Sequence, residues 1–435
     1  MRRHVRRLPV RGADLVLMAM HARWKRTGQS NNTVMAVHCD GPLPADRIRR
    51  ALDSFLDDCP WPASRLRRPF PWGKLHWAAA PRAALVPPPV RHATAASAGD
   101  LQRLIEDEIN TAIDPTRESP LRVLAVDTAA NGGPAPGVLV VTWFHPLMDP
   151  RGGQNLLAEL SALDASTGGA RRENGHVAAA RDARPFRERG RIARGSLAYM
   201  RTLAPVAPVS PGGALTAPGR VRYRQQSFVE RDPGARQTRE ISWRVAVVGR
   251  AMAELWRRRG LPDVPFLLPI SVDLRPKGEP GATFGNLLAF HFARFRPSET
   301  DDVPALARAL RHQMADAVRD GQIEANAVAM EFLHYRPLRT MLRALPWTAG
   351  GEIFSFNCAD LADFAPALAR CFGRAVVNAY HVPAVLPRPG IGVFFNRCAV
   401  RHNVVVSWVD GAVSEEDANR VVEAVGEGMG WARTP

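Results

Sequence analysis

The sequence predicts an α/β protein made of two mixed-sheet halves, and three observations carry the prediction. At 435 residues the chain is longer than one ordinary hydrophobic core accommodates. Short apolar runs with strand character alternate with stretches of helical periodicity, once before residue 165 and again after residue 239. Between them the composition turns basic and then rich in Pro, Gly and Ala. Residues 1–165 and 239–435 are therefore expected to form two subdomains, with residues 166–238 as their connector.

Thr33 to Cys39 begins the pattern as a strand. Leu43-Pro44-Ala45-Asp46 opens a helix whose Ile48, Ala51, Leu52, Phe55 and Leu56 share one face, and Pro60 and Pro62 end it. The proline-rich passage from Pro81 to Pro89 reads as loop or edge strand. A helix follows from Asp100 to Ile113. Two apolar strands, Pro120 to Asp127 and Gly137 to Phe144, flank a turn at Ala130-Asn131-Gly132-Gly133-Pro134, and a helix runs from just after Asp149 to about Leu163. In the second half, helix is predicted over Ile241 to Arg259, Val303 to Asp320 and about Asn326 to Leu345. Strands are predicted over Val264 to Leu274, Phe284 to Phe295, Ile353 to Asn357, Ala375 to Tyr380, Gly392 to Cys398 and Asn403 to Val409. Ser414, with Asp417 three residues on, has capping-box-like spacing and starts a last helix that ends near Met429.

Composition bounds the function. No apolar run approaches the roughly 18–20 residues of a membrane span. The basic start Met1-Arg2-Arg3-His4-Val5-Arg6-Arg7 leads only into the short apolar run Ala13 to Met20, without a small-residue cleavage site, so residence in the cytoplasm is expected. Cys39, Cys59, Cys358, Cys371 and Cys398 are odd in number and never spaced Cys-x-x-Cys. That speaks against a disulfide framework or structural zinc, and for small buried hydrophobes. The 12 histidines form no tight ligand cluster, and no metal is expected. Trp61, Trp72 and Trp77 suit either a pocket lining or a packed core, and the core is the expectation.

The net charge of +16 owes much to the N-terminal tail and to the segment Arg171 to Arg201. From Phe186 onward, Ile192, Ala193, Leu197, Met200 and Leu203 recur at mostly three- to four-residue intervals, as in a basic amphipathic helix. Such a helix suits peripheral contact with the inner face of a membrane or with a phosphorylated partner; equally, it suits a solvated place in the connector. No zinc finger, helix-turn-helix or aromatic-basic RNA motif accompanies the charge, so nucleic acid is not the expected partner.

The most informative stretch is Trp143-Phe144-His145-Pro146-Leu147-Met148-Asp149-Pro150-Arg151-Gly152-Gly153, at the end of the apolar strand that contains Val138 to Thr142. It places an imidazole at a strand end and a carboxylate where a helix begins. Asp149-Pro150 is a good N-cap and N1 pair, because the carboxylate accepts orphan amides and proline loses nothing at the first helical position. His312 and Asp316 share the same spacing, but they sit inside a predicted helix where neighbours four apart explain it. Only His145 lies at a strand–helix junction.

A His-x-x-x-Asp motif about a third of the way along a two-halved α/β chain resembles the CoA-dependent acyltransferase superfamily. That group includes chloramphenicol acetyltransferase, condensation domains, wax-ester synthases and alcohol acyltransferases. Pro269-Ile270-Ser271-Val272-Asp273-Leu274-Arg275-Pro276 followed by Phe284-Gly285-Asn286 is similar to its strand, arginine and Gly-Asn segment. Gly41-Pro42-Leu43-Pro44, Pro120-Leu121-Arg122 and the closing Gly390-Ile391-Gly392-Val393-Phe394 to Val404-Val405-Val406-Ser407-Trp408 also fit.

The resemblance implies two chloramphenicol acetyltransferase-like subdomains with the active site at their interface. His145 would be the general base, and Asp149 a structural residue paired with Arg275. Asn286, Gly285, Gly152 and Gly153 would be candidates for oxyanion or loop support. The substrates implied are an acyl-CoA or acyl carrier protein thioester and a small alcohol or amine, with no further cofactor. Two departures stand out: Phe144 takes the place of a first histidine, and Pro150 that of a glycine. They motivate the alternative of a catalytically silent binding or docking protein. No carrier-protein serine motif follows, so a free-standing protein is expected.

Overall fold

The computed structural model describes residues 6–24, 30–70, 73–129, 136–165, 183–203, 210–212, 219–232, 238, 240–276, 281–335, 354–364 and 368–434. The chain opens with β1 (Arg6–Pro9), α1 (Gly12–Trp24), β2 (Asn32–Cys39) and α2 (Ala45–Asp58). Strands β3 (Arg65–Arg67), β4 (His76–Ala79) and β5 (Val90–Ala95) lead to α3 (Ala98–Asn110), then β6 (Leu121–Thr128), β7 (Gly137–Phe144) and α4 (Pro150–Ala165). The middle holds α5 (Phe186–Leu203), β8 (Val221–Glu230), α6 (Ile241–Arg258), β9 (Phe266–Asp273), β10 (Leu288–Phe295), α7 (Val303–Arg319) and α8 (Gln322–Glu331). The chain closes with β11 (Asn357–Phe364), β12 (Arg370–Cys371), β13 (Arg374–Pro383), β14 (Ile391–Cys398), β15 (Arg401–Val409), α9 (Glu415–Gly428) and β16 (Trp431–Arg433).

Two mixed sheets organise these elements. One has the order β12-β13-β2-β7-β6-β5 and the other β11-β14-β15-β8-β16, beside the β9–β10 hairpin and a small β1-β4-β3 sheet. β7 is buried along its whole length because both of its faces are covered. Val138 and Val140 join the core shared with the five-stranded sheet, α3 and α6, whereas Leu139, Val141 and Trp143 pack toward α2 and α4. Full burial of each such side chain contributes about 1.5–3 kcal/mol. That is why the strand reads as a continuous apolar run and ends where it must, at His145.

Several local readings hold. All five apolar residues assigned to one face of α2 are buried. Ser414 caps α9 by accepting from the Asp417 amide. His312 and Asp316 lie on the exposed side of α7, where Asp316 pairs with Arg319. All five cysteines are buried, as are Trp61 and Trp77; Trp72 lies outside the described residues.

Others need correction. The segment 166–238 is not merely a connector, since it supplies α5 and the strand β8, which lies between β15 and β16 in the five-stranded sheet. Its polar sequence hid the strand because half of its side chains point away from the core while Val221 and Tyr223 point in. Nor do the two halves keep their own strands: β13, from the second half, completes the first half's sheet against β2. Several elements had no counterpart in the sequence, among them α1, the short strands β1, β3, β4, β12 and β16, and the half-exposed strand β5, paired in parallel with β6. β10 begins at Leu288 rather than Phe284, and β11 at Asn357 rather than Ile353. α8 starts at Gln322, ahead of the expected Asn326, and gives way at Phe332 to a single 3-10 turn ending at Tyr335. The rest of that expected helix, the turn at Ala130–Pro134 and the Arg171–Arg181 portion of the basic segment lie outside the described residues.

The arginine-rich helix α5 turns Ala193, Ser196 and Leu203 inward and packs on α8. Of the apolar side expected to meet a lipid surface, Ala193 and Leu203 are thus taken up within the protein and Ile192 and Met200 are half-buried, whereas Phe186 and Leu197 are exposed, with Arg187, Arg191, Arg194 and Arg201 also outward. Among the described residues, no helix is long and apolar enough to cross a membrane.

Three histidines make the fold acid-sensitive. Burial lowers His38, His381 and His402 from 6.5 to about 4 each. The unfolded chain therefore takes up protons first as pH falls. Their contribution is complete above pH 6.5 and is lost as pH drops toward 4, on the order of 3 kcal/mol for the fully buried His381 alone. Urea unfolding between pH 7.5 and 4.5 should show a steadily falling midpoint; a flat one would contradict this account.

Candidate active site

The site grows from the end of β7. The Phe144 amide donates to the Pro120 carbonyl and the His145 amide to that of Asn31, at 2.8 and 2.9 Å, so the strand register carries straight into the loop. Trp143 then reaches over the turn, its indole N–H donating to the Met148 carbonyl at 2.8 Å. Phe144 is buried edge-on against Trp77, with ring centroids 6.4 Å apart. Its place in the motif is thus an apolar core position, which a phenyl ring fills without loss.

Asp149 is buried and has three kinds of work. Its Oδ1 caps α4 by accepting from the Gly152 amide at 2.9 Å, and Pro150 occupies the first helical position without forfeiting a hydrogen bond. The same carboxylate pairs with Arg275 through both oxygens, each at 2.9 Å. Its Oδ2 also accepts from the Leu287 amide at 3.2 Å. Arg275 is itself buried, donates to the Ala282 carbonyl and leans on Asp273, which binds Arg151 at 2.8 Å. The predicted pairing of Asp149 with Arg275 is present, and it ties the motif to the second half of the chain.

The segment 285–287 is laced to the motif by three successive amides. Gly285 donates to the Leu147 carbonyl at 2.8 Å, Asn286 to Asp14 at 2.9 Å, and Leu287 to Asp149. Gly285 has φ +89°, a conformation that favours glycine. The side-chain amide of Asn286 donates to Asp14 at 2.7 Å and to the His145 carbonyl at 3.0 Å.

This geometry corrects the oxyanion assignment. Both side-chain N–H groups of Asn286 and the amides of Gly285, Gly152 and Gly153 are already engaged, the last by the Asp149 carbonyl at 3.1 Å. All four residues hold the loop's shape.

The two motif glycines are required by close approach. A Cβ on Gly152 would stand 2.1 Å from the Thr283 carbonyl oxygen, and one on Gly153 2.8 Å from the Trp143 ring. Gly152→Ala is therefore expected to cost at least about 2–3 kcal/mol, because two backbones would have to separate. Gly195→Ala, facing open space on α5, should be neutral or slightly stabilising. Urea unfolding of the pair checks this, and equal stabilities would refute the packing argument.

His145 is partly exposed, yet its Nδ1 is buried with no hydrogen-bond partner of good geometry. Burial lowers its pKa below 6.5, against the pull of its own loop's backbone and the Asp149 carboxylate. The ring is accordingly neutral at neutral pH. Two neighbours escaped the sequence reading. His381 on β13 is wholly buried, bonded through Nδ1 to Asn396 at 2.8 Å and close enough to His145 to feel its charge. Asp14 on α1 is wholly buried too, and burial raises its pKa to about 7. Its only sequence signal was a lone carboxylate within the apolar run that ends at Met20.

Comparison with solved structures places the architecture. The TRI3 trichothecene 15-O-acetyltransferase from Fusarium sporotrichioides is similar over 98% of this chain and 94% of its own, at TM-score 0.70 and 14% identity. The first condensation domain of the calcium-dependent antibiotic synthetase is similar over 98% and 97%, at 0.66 and 15%. The protein has the condensation-domain fold. Polyketide synthase associated protein 5 from Mycobacterium tuberculosis shares that fold at TM-score 0.61 and 17% identity, over 98% of this chain and 96% of its own. No family model matches the sequence. No curated protein matches it either. Within the condensation-domain fold, the expected two mixed-sheet subdomains are present, and the His145 loop is where strands of one half meet Arg275 and residues 285–287 of the other.

Proposed function

We propose that this protein is an acyltransferase that moves an acyl group from a CoA or carrier-protein thioester to an alcohol or amine. The single observation that carries the reading is His145 itself: a neutral imidazole at a strand end, with Nδ1 buried and its loop locked by Asp149, Arg275 and Asn286. With Nδ1 buried, Nε2 is the nitrogen left for a substrate. It takes the proton from the acceptor's O–H or N–H as the oxygen or nitrogen attacks the thioester carbonyl. The tetrahedral intermediate then collapses, the C–S bond breaks, and the departing thiolate receives that proton from His145. The chemistry needs no redox step and leaves no covalent enzyme intermediate.

The silent-relative alternative loses its motive. Phe144 is explained by core packing against Trp77, and Pro150 by the start of α4. The test is thiol release from acyl-CoA and from an acyl carrier thioester across a panel of alcohols and amines. Acceptor-dependent release supports the transferase; ligand binding with no release from either donor would establish the silent relative.

A further inference from the structure

We propose that Asp14 is a positioning residue for His145, acting through Asn286. The inference rests on the reading of His145 as the base. Asp14 is wholly buried in the first turn of α1. Its Oδ2 accepts from the Arg11 amide at 2.7 Å, which is all that capping the helix requires. Its Oδ1 has a second task, accepting from Asn286 through both the backbone amide at 2.9 Å and the side-chain amide at 2.7 Å. The other N–H of that side chain is donated to the His145 carbonyl at 3.0 Å.

Carboxylate, amide and histidine backbone therefore form one chain of hydrogen bonds from the N-terminal helix to the candidate base. Asn286 Oδ1 makes no hydrogen bond of good geometry, although it raises the pKa of the neighbouring His145 ring, so its carbonyl end does not by itself fix the side chain. Asp14 does, because a flipped amide would set its oxygen against both the carboxylate and the His145 carbonyl.

Burying a carboxylate is unfavourable unless it is well supplied with donors, and this one has three. The charged groups around it are few. Arg11 stands on its own helix start, and Glu331 and His334 lie on the α8 side, where Glu331 accepts from the Gly12 amide at 2.7 Å. The Asp149–Arg275 pair lies across the 285–287 segment, and His145 beyond Asn286. Asp14 titrates at about 7, so its grip on Asn286 tightens as it ionises there.

The experiment is the pH dependence of kcat for the wild type, Asp14→Asn, Asn286→Ala, the double variant and His145→Ala, each checked by thermal unfolding. The wild type should lose kcat in two steps on the acid side, one near 7 as Asp14 gains a proton and one below 6.5 as His145 does. Asp14→Asn should lower kcat at pH 8 by about 10- to 100-fold with KM within about threefold, and should keep only the lower step. Asn286→Ala should behave alike, and the double variant should be no worse than Asn286→Ala alone. Wild-type kcat with both steps retained in either single variant, or losses that multiply, would overturn the relay. Should Asp14→Asn fail to fold, Asn286→Ala decides, since it leaves the α1 cap in place. Full turnover by His145→Ala would instead remove the catalytic reading on which the relay rests.

Discussion

Replacing His145 by alanine is expected to lower acceptor-dependent thiol release by about 10³-fold or more, within the range known for loss of a general base. The fold should survive the change. What holds the loop is the backbone of residue 145, whose amide donates to Asn31 and whose carbonyl accepts from Met148 and Asn286. The ring itself is partly exposed, and its Nδ1 makes no hydrogen bond of good geometry. The thermal midpoint should therefore move by no more than a few degrees, because the truncation costs little more than about 1 kcal/mol. Turnover within tenfold of wild type, in a protein of unchanged stability, would show that another group takes the proton.

Removing Arg275 is expected to have the largest effect on stability. Arg275→Ala leaves Asp149 buried beside a vacated guanidinium site, and breaking a buried pair in this way costs about 3–5 kcal/mol. Lysine should not rescue it. The guanidinium reaches Asp149, Asp273 and the Ala282 carbonyl at once, a fork that a single ammonium cannot reproduce. Because Asp149 also caps α4 and holds the Leu287 amide, activity should fall with stability. Asp149→Ala combined with Arg275→Ala should destabilise by clearly less than the sum of the single changes, since the second change removes a group already unpaired. A loss below about 1 kcal/mol in urea unfolding of Arg275→Ala, or strict additivity in the double variant, would mean that the pair is not what secures the loop.

The sequence by itself determined the local parts of this protein. The apolar run of β7, the Asp149-Pro150 helix start and the Ser414 cap are written within a few residues of where they act, because strand and helix propensity, capping and periodicity are short-range effects. Their order also sufficed to place a histidine at a strand end and to separate His145 from the decoy pair His312 and Asp316.

Partnership across the chain was decided only in the tertiary structure. β8 read as polar connector until its pairing with β15 and β16 gave half of its side chains a core, and β13 left its own half to pair with β2. The four loop amides looked free in sequence and proved to be spent on Leu147, Asp14, His145 and Asp149. Asp14 meets Asn286 across 272 residues, and a hydrogen bond between groups so far apart leaves no periodicity or spacing to read. It exists because the folded sheets bring α1 and the 285–287 segment to the same end of β7, where the burial that makes His145 neutral also makes a carboxylate's choice of partners count.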